Sequence, residues 1–345
     1  MESMINNDLL QGILINYGFE EEIVRSQAYI HKVKQNRWVK LIHGVTLKDG
    51  RRLVIKIVRE DDDFSQEQKK VENQSNFSEI MRKNGINTPI RYQTGGRYTM
   101  EIPYEGIMCL TTVEDWCGEE IKEINGELAN NIGKLMARMH ILSLENKCVI
   151  GEGTLFSAAY TNDVDSFSDF CRIAEDPMLD QSVISQIKSM REEKLHRIRL
   201  VWETLPKSAV QGDISINNLA YAGDGVIVFD YNNAGDEVLV SDLVLEGLLT
   251  AYEMDLPGGT PESYREQLFP SLLKGYLSVR ALNEAERAVA WEVYTLYHGL
   301  WFSRIVFNDD SLDSLVKMGN YEAANLLLNR MLEDMREVDD GRFQG

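Results

Sequence analysis

No apolar run in the sequence approaches the length of a membrane span. The opening stretch, MESMINNDLLQGILINYGFEEE, has neither a basic leader nor a long apolar core, so no signal peptide is expected. Cysteine is scarce. The four present (Cys109, Cys117, Cys148 and Cys171) form no C-x-x-C pair, which points away from a zinc site or a disulfide framework and toward reduced thiols in the cytoplasm. Basic residues are outnumbered, 36 against 55 acidic, for a formal net charge of −19. That balance argues against nucleic acid or an anionic membrane as the partner and suits a cationic one. There is no internal repeat and no low-complexity tract. The rest is ordinary for a globular protein: 43% hydrophobic and 26% charged residues in a chain of 345, enough for a large core in two lobes.

Hydrophobic spacing divides the chain. Residues 7–17 carry Leu9, Leu10, Ile13 and Leu14 at helical intervals. The period then shifts toward two. Residues 28–30, 38–42 and 52–58 read as strands, with Asp49-Gly50 as a hairpin turn. Residues 66–84 read as a helix closed by Gly85. Residues 90–92, 98–102 and 108–113 return to strand. From residue 125 onward helices dominate: 125–143, 166–173, 181–203, 261–278, 283–307 and 321–337. Residues 232–240 read as an acidic connection, followed by a helix opening at Ser241.

One stretch interrupts the helices. Residues 209–234 read AVQGDISINNLAYAGDGVIVFDYNNA. Asn218 follows Asp213 by five places, residues 222–225 make a turn, and Val226 to Phe229 form a short strand that delivers Asp230. Phosphoryl transfer needs a carboxylate to orient an attacking hydroxyl and take its proton. It also needs hard oxygen ligands for a magnesium ion. Asp213 suits the first task, and Asn218 and Asp230 suit the second.

This pattern resembles the kinase catalytic loop, D-x-x-x-x-N with a later metal-binding Asp. G-D-I-S-I-N-N with V-F-D-Y is similar to the aminoglycoside phosphotransferase and choline kinase branch, with Gln211 standing where His is usual. The resemblance implies an α+β, two-lobed protein-kinase-like fold, with an N-terminal antiparallel sheet lobe and a larger, mainly helical C-terminal lobe. Residues 1–113 would bind the nucleotide, 114–118 would form the hinge, and 119–345 would carry the catalytic loop and the acceptor site. Lys56, in the strand LVIKIV, matches the V-A-I-K lysine and would hold the nucleotide phosphates. Glu72 on the following helix would pair with it, with Glu79 as the fallback. Glu114 and Trp116 would meet the nucleotide base through the main chain. No glycine-rich loop joins the first two strands, so residues 34–37 would have to cover the phosphates. His140 reads as structural, and Asp242 resembles a family Asp that braces the catalytic loop.

The implied activity is that of a phosphotransferase with an alcohol acceptor, using Mg²⁺ and ATP or GTP. An aminoglycoside or related amino sugar is the first acceptor to expect. The alternatives are a metabolite kinase of the homoserine, choline or methylthio-sugar type, or a kinase-like binding or structural protein. Acceptor contacts would fall on the C-terminal helices and on loops around Phe156 and Asp255.

Overall fold

The structure, a computed structural model, describes residues 7–34, 38–151, 153–154, 166–222, 225–252 and 261–344. Part of the 34–37 link, the centre of the 222–225 turn, and the loops around Phe156 and Asp255 lie outside the described residues. The chain divides into two compact units. Unit 1 is Met1–Ile121, Val149–Gly151 and Asn217–Asn232; unit 2 is the remainder. Among the described residues no helix is long and apolar enough to cross a membrane.

Unit 1 is built on a five-stranded antiparallel sheet. Its strands are β1 (Ile23–Lys34), β2 (Trp38–Leu47), β3 (Arg52–Arg59), β4 (Met100–Tyr104) and β5 (Ile107–Asp115), in the order β1-β2-β3-β5-β4. Strand alternation sorts the side chains onto two faces. Leu53, Ile55 and Ile57 of β3 join Cys109 and Val113 of β5 in a core with Leu10, Ile13 and Leu14 of helix α1 (Asn7–Asn16). Val54, Lys56 and Glu114 belong to the opposite face. Helix α2 (Phe64–Lys83) starts at Asp63, whose carboxylate accepts from the amides of Ser65 and Gln66. It stops at Gly85, in the left-handed region with φ 82°, and the Ile86 amide folds back to the Met81 carbonyl. The expected strand at residues 90–92 is reduced to a single bridge, Arg91 opposite Glu114.

Unit 2 contains the helices α3 (Gly126–Glu145), α4 (Phe167–Ile173) and α5 (Gln181–Val201), then strand β6 (Lys207–Val210). The hairpin β7 (Leu219–Ala222) and β8 (Gly225–Val228) belongs to unit 1; β9 (Gly235–Val238) returns to unit 2 and pairs antiparallel with β6. Six helices follow: α6 (Leu239–Ala251), α7 (Pro261–Leu277), α8 (Glu284–Gly299), α9 (Phe302–Ile305), α10 (Leu312–Lys317) and α11 (Tyr321–Met335). Helices α3 and α7 meet backbone to backbone. A Cβ on Gly133 would stand 2.0 Å from the Leu272 carbonyl oxygen, and one on Gly275 would stand 2.0 Å from that of Asn130. The single helix expected over 283–307 is two. Helix α8 ends at Gly299, which has Met335 of α11 against it, and Trp301 is extended before α9 begins. The acidic connection after Asp230 includes strand β9. Its Gly235 has Gly153 and Thr154 backbone within 2.7 Å of any added Cβ.

Candidate active site

In unit 1 a cavity of about 460 Å³ opens on the face of the sheet that carries Lys56. Tyr29, Ile30, Ile42 and Val54 line it from the sheet, residues 114–120 from the end of β5 and the strip after it, and Asn217, Asn218, Phe229 and Asp230 from the hairpin segment. That segment is held by the Ile121 amide donating to the Leu219 carbonyl (2.8 Å) and the Val228 amide donating to the Asn87 carbonyl (3.0 Å). The Phe229 amide donates to the Asn218 carbonyl (3.0 Å), so the two proposed metal ligands are carried on adjoining backbone. Asp230 takes a left-handed conformation, φ 55°, which Asp tolerates better than most residues and which functional sites often hold.

Lys56 is buried. Its ammonium lies 3.0 Å from Glu114 Oε1 and 3.1 Å from Asp230 Oδ1. Burial alone would strip its charge, but the carboxylates of Asp230 and Glu114 override this and raise its pKa. Burial likewise opposes charge on Glu114, and there Lys56 and Arg91 prevail and lower the pKa. At Asp230 burial pushes upward, and Lys56 prevails to hold the carboxyl below its usual range. All three groups are therefore ionised at neutral pH.

Glu72 is not the partner of Lys56. Its Oε1 accepts from the Thr99 amide (2.8 Å) and hydroxyl (2.6 Å), and its Oε2 accepts from the Tyr98 amide (3.2 Å). The helix carboxylate thus secures the chain entering β4. The fallback, Glu79, forms a fork with Arg82 instead. Trp116 lines the cavity, but its amide donates to the Arg52 carbonyl (3.0 Å), so that amide serves the sheet rather than a base. The Arg52 guanidinium lies 3.2 Å from the Trp116 ring centroid.

In unit 2, β6 leads into the loop that carries Asp213. Gln211, almost wholly buried, accepts from the Asp213 amide with its Oε1 (2.7 Å). The residue in the usual His place therefore still braces the loop. Asp213 Oδ1 accepts from the Ser215 hydroxyl (2.8 Å), and Oδ2 accepts from the Asn233 side-chain amide (2.9 Å). Gly212 is left-handed at φ 75°. The Ile214 amide goes to Glu246 Oε2 on α6 (2.7 Å). Asp242, expected as the brace, instead meets His140 Nε2 at 2.9 Å, while His140 Nδ1 meets the Tyr276 hydroxyl at 2.7 Å. Sequence spacing alone found neither Asn233 nor Glu246. Arg91 was also missed, and its signal was a carboxylate, Glu114, at a strand position where the alternation asks for burial.

No protein-family model matches the chain, and no curated protein sequence matches it. Solved structures do. An amicoumacin kinase in complex with AMP-PNP, Ca²⁺ and Ami is similar at TM-score 0.61 and 14% identity, over 96% of this chain and 94% of that one. A microcompartment-associated aminopropanol kinase is similar at TM-score 0.61 and 14% identity, over 96% and 98%. A spectinomycin phosphotransferase in complex with ADP and spectinomycin gives TM-score 0.56 and 11% identity, over 97% and 100%. The chain has the fold of the small-molecule kinases. The expected kinase-like class, antiparallel sheet first and mainly helical part second, is the observed one.

Proposed function

We propose that the protein is a small-molecule kinase of the cytoplasm, transferring the γ-phosphoryl group of ATP or GTP to a hydroxyl of a small acceptor. The observation that carries this reading is the cavity of unit 1, where a buried, charged lysine and two oxygen-donor side chains line one space. The kinase-like fold supports it, and so do the nucleotides in the amicoumacin kinase and spectinomycin phosphotransferase complexes. In this reading residues 1–113 serve the nucleotide, 114–118 form the hinge, and 119–345 supply the catalytic loop and the acceptor contacts.

Lys56 binds phosphate oxygens through its ammonium. Asn218 and Asp230 hold Mg²⁺, and their donors, an amide oxygen and an ionised carboxylate, are the hard ligands this ion takes. When bound, the ion neutralises phosphate charge. Asp213 accepts the proton of the acceptor hydroxyl. The acceptor oxygen bonds to the γ-phosphorus as the bond from that phosphorus to the bridging oxygen breaks, and the nucleoside diphosphate leaves. Ser215 and Asn233, one on each oxygen of Asp213, fix the carboxylate for that task.

The acceptor we favour is an aminoglycoside or related amino sugar, whose cationic amines suit a chain of net charge −19. A metabolite kinase is the second reading, supported by the equal similarity to the aminopropanol kinase. Coupled nucleotide turnover with Mg²⁺ tests both, using ATP and GTP across aminoglycosides, amino alcohols, homoserine, choline and methylthio-sugars. Asp213→Asn is expected to lower turnover by about 10²–10⁴-fold while nucleotide binding persists. Full turnover in that variant removes Asp213 from the mechanism. Absence of any thermal shift with Mg²⁺ and nucleotide sinks the kinase reading and favours a structural role.

A further inference from the structure

Four charges of alternating sign form a row in unit 1: Arg91, Glu114, Lys56 and Asp230. Arg91, Glu114 and Lys56 are all at least nine-tenths buried. Arg91 Nε donates to Glu114 Oε2 at 2.9 Å, the other oxygen of Glu114 meets Lys56 at 3.0 Å, and Lys56 meets Asp230 at 3.1 Å. Isolated buried ions are costly, and here each interior member is flanked by opposite charge. The row also has a neutral anchor. Arg91 Nη1 donates to the Ser75 hydroxyl (2.8 Å), and that hydroxyl donates to the Val71 carbonyl within α2 (2.7 Å).

The register of the sheet explains the central pair. Val54 stands opposite Glu114 and Lys56 opposite Thr112 on antiparallel β3 and β5. Lys56 and Glu114 are therefore diagonal neighbours on one face, the one that lines the cavity. Glu72, the carboxylate that α2 offers in this region, is committed to Tyr98 and Thr99.

We propose that Glu114, on strand β5, is the residue that positions the Lys56 ammonium in the cavity, and that Arg91 in turn positions Glu114. The inference rests on the reading of Lys56 as the phosphate ligand. Asp230 would be shared with a divalent cation, whereas Glu114, 3.0 Å from the ammonium on a strand bonded in register to that of Lys56, would stay with the lysine and keep it aimed. The lysine is thus set by two strands bonded in register, and α2 enters at second remove through Ser75 and Arg91. Glu114 is a positioning residue: it acts on the nucleotide through Lys56, so its loss should be felt by phosphates and not by the nucleoside.

Calorimetric titration of the full chain with MgATP and with adenosine tests this, with melting temperature recorded for each variant. Glu114→Gln is expected to weaken MgATP about tenfold and leave adenosine unchanged, the loss of one charge-assisted contact. Arg91→Lys keeps the charge but cannot span Glu114 and Ser75 together; it should weaken MgATP about threefold. It decides the matter if Glu114→Gln does not fold. Glu72→Gln should bind both ligands as the wild type does. A purely structural Glu114 would lower the melting temperature and leave the ratio of the two affinities unmoved. Wild-type MgATP affinity in folded Glu114→Gln, or a loss in Glu72→Gln matching that of Lys56→Ala, overturns the inference. If Lys56→Ala loses affinity and Glu114→Gln does not, the nucleotide reading stands and this inference falls. If Lys56→Ala binds MgATP as the wild type does, the nucleotide reading falls and the inference with it.

Discussion

Gly212→Ala puts a methyl group at the tightest point of the loop that carries Asp213. Gly212 has φ 75°, a left-handed conformation that costs an L-residue about 1–2 kcal/mol. The new Cβ would also stand 2.7 Å from the Asn233 carbonyl oxygen and 3.0 Å from Thr154 Cγ2. Both are too close, and one is backbone, so relief requires the chain to move; overpacking of this kind costs about 1–3 kcal/mol. The sum is roughly 2–5 kcal/mol, and at about 2–4 °C per kcal/mol the melting temperature should fall by about 4–20 °C. The direction of relief matters for activity. Asn233 is the residue whose side chain holds Asp213 Oδ2, so pushing it away loosens the proposed proton acceptor. A misplacement of about 1 Å costs on the order of a hundredfold in turnover. Gly212, Asn233 and Thr154 belong to unit 2, whereas Lys56, Asn218 and Asp230 belong to unit 1. MgATP affinity should therefore survive. Differential scanning calorimetry, coupled turnover and nucleotide titration on one preparation give all three quantities. An alanine variant that melts and turns over like the wild type refutes the claim that the loop requires this glycine.

Two further outcomes follow from unit 2. His298 is buried against Arg265, Arg304 and Arg342, and burial followed by these charges lowers its pKa well below 6.5, despite Asp334 at 3.6 Å and Glu337 at 4.0 Å. Arg265 Nη1, 2.8 Å from Nδ1, needs the neutral ring as acceptor. The unfolded state then binds the proton first, so stability present above pH ~6.5 is lost as the pH falls below it, by up to about 1.4 kcal/mol per pH unit. Thermal melts from pH 7.5 to 5 should show a flatter decline in His298→Gln, and parallel declines would refute the assignment. Gly133→Ala should gain about 1 kcal/mol of helix propensity yet lose more, because its Cβ would meet the Leu272 carbonyl at 2.0 Å and force α3 from α7. With overpacking at about 1–3 kcal/mol against that gain, a net loss of up to about 2 kcal/mol in denaturant melts is expected, and a more stable alanine variant would contradict the close approach.

What could be read in advance was what depends on short-range spacing. The alternation of Leu53, Ile55 and Ile57 against Val54 and Lys56 marked β3 and its two faces, and the offsets among Asp213, Asn218 and Asp230 marked the candidates proposed for the chemistry. What could not be read depends on register and rotation between separate elements. Glu72 and Glu79 share a helix rich in charge, and nothing in its pattern tells which carboxylate turns where. Glu114 reaches Lys56 because of the pairing of β3 with β5, a fact of the assembled sheet. In the same way, the break after α8 follows from Met335 against Gly299, a contact between residues far apart in the chain. Asn233 was equally hidden: its side chain reaches back to Asp213 from 20 positions further along the chain, across a whole hairpin.

Unit 1 is written in three separate pieces, and the last, Asn217–Asn232, follows the first by nearly a hundred residues. The hairpin wall of the unit 1 cavity therefore leaves the ribosome long after the sheet that it joins. At about 5–20 residues per second, the interval between the synthesis of Ile121 and that of Asn232 is roughly 5–20 s. Through that time, of Glu114 and Asp230, the two carboxylates that meet the Lys56 ammonium in the structure, only Glu114 has been made. A nascent chain stalled anywhere before residue 230 lacks Asp230, one of the two proposed metal ligands, however well its strands have formed. Newly made protein should thus gain nucleotide affinity late and in one step, rather than in proportion to the sheet already folded.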